Sequence, residues 1–380
     1  MKIKPSLLAA ASLAIASPVF AAPLVYVPMG VANQIIIIDA AKDQVVGKLL
    51  GVSNSHALAA SADGKMLIAG SATINPTADG LPPKPTGMSE AVHKSHHSGM
   101  SGKSMPGKLM PGKLMNMSSK TMPGKSMPGK LMKKAEPTSS SLSVIMTASN
   151  SVLRRIVIPG IIHHAMITPD GRYGVATLPT AAGVSIVDLQ KFEVLKTVPT
   201  GPVPNYAVAS PDGTYVYVSN AGNGTISKIE TTSWRVVQNI KVGKEPEHMV
   251  ISAKGDRLYI GNVGSGSVSV VATKTGTVVK TYSLGGRLHG IDLSKDGKNL
   301  YVSVRSKNKL VAIDLKSGGE KELSLTPQPY HLAVIGDTGK LYVSSAKKDL
   351  IWVVDQKSLK MQGQISVPGT AHQMAILPAG

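Results

Sequence analysis

The sequence predicts an all-β, seven-bladed β-propeller closed by strands from its two ends, on three observations. A short frame, first seen as His56 to Gly64, recurs along the chain with a spacing of 42 or 41 residues. Each repeat holds four runs of alternating, β-branched-rich residues divided by Gly, Asn and Asp, and four strands per ~40–45 residues marks a propeller blade. The last frame is followed by a single run, whereas the first run after the N-terminal leader already has the character of a second strand. Strands from the two ends therefore complete one blade and leave few open edges.

The elements follow in order. Residues 1–21 read as a signal peptide, with basic Lys2 and Lys4, an apolar run from Leu7 to Ala16 and the small-x-small pattern Val19-Phe20-Ala21. That run is too short to span a bilayer, and no later one approaches ~20 apolar residues, so a soluble, periplasmic, monomeric protein is expected. Residues 22–380 form the propeller. Its frame begins at His56, His163, Asn205, Glu247, His289, His331 and His372. One step, from His56 to His163, is longer by 65 residues. An Asp-Gly or Lys-Gly turn follows the first strand, as at Asp170-Gly171, Asp212-Gly213 and Lys254-Gly255. Second strands read YVYVSN at 215–220 and LYIGN at 258–262, and third strands VSIVD at 184–188 and IWVVD at 351–355.

Composition excludes several chemistries. The 380 residues contain no Cys, which removes disulfides, thiolate metal sites, iron–sulfur clusters and CxxCH haem attachment. The net charge is +19. There is no G-x-S-x-G, no H-E-x-x-H and no paired-carboxylate motif.

The motifs YVSN at 217–220 and YIGN at 259–262, each after an S-P/A-D/K-G turn, resemble those of the YVTN family of seven-bladed propellers, which includes the periplasmic YncE-like proteins. The resemblance covers roughly residues 23–75 and 138–380. It implies a propeller whose members are mostly binders with a few enzymes, so function has to come from the site. The chain is also similar to the d1-haem propellers, though without their cytochrome c module.

The extra residues, 76–137, fall between the second and third strands of the His56 repeat. Met100, Met105, Met110, Met115, Met117, Met122, Met127 and Met132 recur there, many at a five-residue period in the unit M-P-G-K-x, beside His93, His96 and His97. Pro-Gly every five residues forbids a regular helix or strand, so a flexible excursion is expected. A lysine-rich tract can serve simply as a solubilising loop. Thioethers and imidazoles, however, suit Cu(I) and Cu(II) respectively. The tract resembles the Met/His-rich segments of periplasmic copper-handling proteins.

The inner strand of a blade lines the central channel, so the seven frame residues surround one mouth. His289, His331, His372, His56 and His163 make an uninterrupted arc, with Asn205 and Glu247 opposite. A frame histidine can merely tie one blade to the next. Five together point to a metal, since neutral imidazole is the commonest metal ligand. The arrangement is similar to the copper-binding histidine ring at the hub of nitrous oxide reductase, without that enzyme's cupredoxin domain. The inserted segment leaves from the same face.

Three functions follow. The first is a periplasmic metal-binding propeller, for copper, with hub histidines (Glu247 included among the ligands) and a Met/His capture loop, releasing hub metal near pH 5. The second is a non-enzymatic scaffold for nucleic acid or another polyanion, for which only Tyr206 and Tyr330 adjoin the frame as stacking platforms. The third is an enzyme such as a lactonase or lyase, or a partner of a d1-haem-type cofactor.

Overall fold

The structure, a computed structural model, describes residues 23–30, 32–71 and 139–377. The expected signal peptide and the inserted segment 76–137 lie outside the described residues. The described residues form seven four-stranded antiparallel sheets. Blade 1 takes Leu24–Pro28, Gln34–Asp39 and Gln44–Leu50 from the N-terminal part and Ala375–Leu377 as its inner strand. The other six are contiguous apart from the insertion. Blade 2 comprises Ser55–Ala60, Met66–Ser71, Ser139–Met146 and Ser151–Pro159. The inner strands of blades 3 to 7 are Ala165–Ile167, Pro204–Ala209, Pro246–Ile251, Leu288–Leu293 and Pro329–Ile335.

Alternation along each strand builds the core. In blade 1, Val25 and Val27 pack with Ile351 and Val353 of blade 7, while Tyr26 between them packs with Leu58 and Leu67 of blade 2. Successive side chains leave a strand on opposite faces, so each blade feeds both neighbours. Seven separate apolar clusters result, one at each junction between adjacent blades. The glycines of the recurrent turns, Gly64, Gly171, Gly213, Gly255 and Gly297, all have φ between 67° and 72°, a region where a Cβ is strained.

Closure occurs as the terminal half-repeats require. Leu24, Val25 and Tyr26 pair with Leu377, Ile376 and Ala375. Ser71 pairs with both Ser55 and Ser141, so the described strand ends on either side of residues 72–138 lie beside Ser55, next to His56.

Deleting residues 371–380 removes Ala375 and Leu377 from their cluster and leaves Leu24–Pro28 as an unpaired edge. Losing one buried Leu and its strand is expected to remove about 4 kcal/mol or more. Thermal unfolding of the truncated chain should be lowered by well over ~8 °C, with much of the product insoluble. An unchanged melting temperature would show that this pairing does not hold the ring.

Candidate functional site

The hub is built by an irregularity repeated at the start of the inner strands. In blade 4, Pro204 faces Asn220 and Ala207 faces Val218, so Asn205 and Tyr206 together oppose Ser219. The same two-against-one register places Glu247 and His248 opposite Gly261, His289 and Gly290 opposite Ser303, and Tyr330 and His331 opposite Ser344. In blade 2 the extra residue is His56. In blades 3 and 1 the corresponding pairs, His163–His164 and His372–Gln373, come just before the inner strand. Such a bulge interrupts the ladder and re-aims its side chains, and in blades 3, 5 and 7 both members of the pair reach the cluster. Gly290 is required where it stands, because a Cβ there would lie 2.6 Å from Leu332 N and 2.7 Å from Tyr330 O.

Seven imidazoles gather as a result, and they are all the histidines of the described residues. His56 lies 4.4 Å from His372, 4.7 Å from His164 and 4.8 Å from His163 between ring centroids. His248 lies 4.4 Å from His289, 4.8 Å from His164 and 5.0 Å from His331. His164 and His248 approach Nε2 to Nε2 at 3.3 Å, and His289 and His331 at 3.4 Å. Glu247 Oε2 stands 3.5 Å from His289 Nδ1.

Backbone carbonyls orient three of the rings. His164 Nδ1 donates to Asn205 O at 2.9 Å, His56 Nδ1 to His163 O at 3.1 Å and His163 Nδ1 to Asn205 O at 3.4 Å. A carbonyl only accepts, so in each case the proton sits on Nδ1 and the lone pair on Nε2. That carbonyl-held tautomer is the one usual for metal-ligating histidines. Burial pushes His56 and His164 well below the ordinary range, helped by the neighbouring imidazoles. It takes His248 down to about 3. The opposite sign holds for acids: burial raises Glu247 to about 7, against the pull of Arg287 and Arg305, and Asp292 to about 6. Burial thus favours the uncharged form at His56, His164 and His248 and at the Glu247 carboxyl beside them.

The arc of His289, His331, His372, His56 and His163 is brought together, in the blade order 6, 7, 1, 2, 3. His331, however, is the second residue of its bulge, and Tyr330 occupies the place that His289 holds in blade 6. The blade 7 bulge lies 41 residues after that of blade 6, not 42, so counting from the turn glycine lands one residue late. Tyr330 instead stacks on His289 with centroids 4.0 Å apart.

His164 and His248 were the residues that the repeat count alone does not select. They carry the cluster across the channel, closing the arc from the far side. The tandems His163-His164 and Glu247-His248 are the only signal for them in the sequence. Asn205 contributes its carbonyl, to His164 and to Thr177 Oγ1 at 2.9 Å, and its own Oδ1 is buried with no hydrogen-bond partner among the described residues. Tyr206 packs on His164 and His248, and Gln373 donates to its hydroxyl, while Tyr330 is buried against His289 and His331. Burial takes His56, His164 and His248 below the ordinary ~6.5, the value on which the expected release of hub metal near pH 5 rests. His93, His96, His97 and the methionines from Met100 to Met132 lie outside the described residues.

Comparison with known proteins agrees on the fold. The family model "Lactonase, 7-bladed beta-propeller" matches residues 175–284. No curated protein matches. Among solved structures, the chain is similar to the periplasmic gluconolactonase PpgL of Pseudomonas aeruginosa, with 17% identity, 94% of this chain and 99% of that one covered, and a TM-score of 0.66. It is similar to the hydrazine synthase of Kuenenia stuttgartiensis, with 14% identity, coverage of 96% and 99%, and a TM-score of 0.59. It is also similar to the dihydro-heme d1 dehydrogenase NirN, with 13% identity, coverage of 95% and 67%, and a TM-score of 0.61. At these identities the likeness speaks for the seven-bladed fold alone.

The depressed imidazoles make stability depend on pH. His248 is protonated below ~6.5 when unfolded but only near 3 when folded, so its contribution is complete above ~6.5 and declines as pH falls towards 3. The slope is about 1.4 kcal/mol per pH unit, offset in part by Glu247 and Asp292, whose raised values act in the opposite sense above about pH 4. Metal-free His248→Gln should therefore lose less stability than the parent between pH 6.5 and 4.5, by about 2 kcal/mol, in denaturant melts at the two pH values. Parallel losses in parent and variant would show that His248 is not held neutral.

Proposed function

We propose that this protein is an exported, periplasmic metal-binding propeller of the YVTN/YncE-like kind, and that its hub takes copper. The observation that carries the reading is the convergence of seven imidazoles from six blades, three of them with Nδ1 held by a backbone carbonyl. Two pairs set ring nitrogens 3.3 and 3.4 Å apart. Those separations are close to the edge of a tetrahedron around an ion with ~2.0–2.1 Å bonds, about 3.3 Å. Among divalent first-row ions a nitrogen site favours Cu(II) most. When bound, copper would add a redox-active Lewis-acid centre to the channel, and the chain's part is to hold neutral imidazoles ready and exclude water from them. The Met/His segment between the second and third strands of blade 2 is assigned to capturing Cu(I) or passing it on.

A second reading, hydrolysis of a sugar lactone, draws on the lactonase family model matched over 175–284. Gluconolactone turnover by the purified chain, with and without added metal, separates it from the first. A d1-haem-type ligand is a third reading, which draws on the likeness to the dihydro-heme d1 dehydrogenase NirN.

The full chain is expected to bind Cu(II) at pH 7.5 and to retain it at pH 5. Replacing His56 and His372 together with Ala should weaken Cu(II) binding at least 100-fold while leaving the fold, read by circular dichroism, intact. Binding like that of the parent would make the hub histidines framework. Removing residues 81–135 should leave thermal unfolding unchanged and lower the Cu(I) stoichiometry. Equal Cu(I) stoichiometry with and without the segment would reduce it to a spacer.

A further inference from the structure

The hub offers four three-residue groupings whose ligand atoms lie within 4.8 Å of one another. They are His56–His163–His164, His56–His331–His372, His164–His248–His331 and Glu247–His248–His289. The first two share His56, and the third shares one residue with each of the others. The Glu247 grouping shares nothing with either His56 grouping. Two ions can therefore be held at once on separate ligand sets, and a third would need an imidazole already in use.

We propose that the hub carries two unlike metal positions, one of imidazoles around His56 and one formed by Glu247, His248 and His289. The inference rests on the reading of the hub as a metal centre and adds a second site with its own ligand chemistry. Glu247 and His248 are the two members of one bulge, so a single distortion in blade 5 aims both at the first residue of the blade 6 bulge, His289. Glu247 Oε2 and His289 Nδ1 stand 3.5 Å apart, near the edge length expected around an ion with ~2.0–2.1 Å bonds. His289 turns its other nitrogen to His331, so its ring lies between the two positions.

The charges nearby are compatible with a cation there. Arg287 is paired with Glu245 at 3.0 Å, and Arg305 stands 5.9 Å from the centre of the Tyr330 ring. Two imidazoles and one carboxylate, with positions left for water, suit a harder divalent ion such as Zn(II) or Fe(II) better than Cu(I). The imidazole-only position keeps the preference for copper. The hub would then discriminate between metals by donor atom, within one cluster.

The test uses the full chain carrying His93→Ala, His96→Ala and His97→Ala, so that histidines of the inserted segment do not contribute. The metal-free protein is loaded with one equivalent of Cu(II), then excess Zn(II), then passed through a desalting column, and both metals are counted. One copper and one zinc per chain are expected. Glu247→Gln and Glu247→Leu should each retain the copper and lose the zinc, and His56→Ala should weaken the copper and keep the zinc, with folding checked by circular dichroism. A single ion in the parent, both ions retained in both Glu247 variants, or both lost from folded Glu247 variants would each overturn the second position while leaving a single-metal hub standing. No metal in the parent would overturn the metal-centre reading itself.

Discussion

Three residue pairs close the ring: Leu24 with Leu377, Val25 with Ile376 and Tyr26 with Ala375. Every other feature of the molecule depends on that closure. A propeller blade is too thin to bury its own side chains, and its stability comes from the apolar layer it shares with the next blade. With seven blades there are seven such layers, but only if the last blade meets the first. The closing strand also brings His372 and Gln373 into the channel, where Gln373 donates to Ala165 O and the Tyr206 hydroxyl and accepts from Leu58 N. The polar interior and the apolar junctions are thus joined at one strand.

The hub gets its character from the bulges at the channel end of the inner strands. Regular strands would present one side chain per blade to the axis and send the next one into a blade junction. The extra residue lets two consecutive side chains reach the axis, so blade 3 supplies His163 and His164, and blade 5 supplies Glu247 and His248. Close packing of rings desolvates the hub, which favours the uncharged form of His56, His164 and His248. The same desolvation raises Glu247 and Asp292, so acids and bases in the channel are drawn toward neutrality together.

By itself the sequence determined the blade number, the blade order, the ring closure and the arc of histidines. These are properties of spacing: a 42-residue period, an eight-residue frame-to-turn distance and half-repeats at the two ends are one-dimensional facts that the chain displays directly. What only the tertiary structure decided is which side of a strand each residue uses. His331 and Tyr330 exchange places because one residue fewer separates two bulges, and a one-residue slip sends a side chain the other way. His164 and His248 join the hub because a bulge, invisible to a count of alternating residues, turns them inward. The protonation state of the cluster was equally beyond reach of spacing, since it follows from burial and from the carbonyls that fix each Nδ1, both set by residues far apart along the chain.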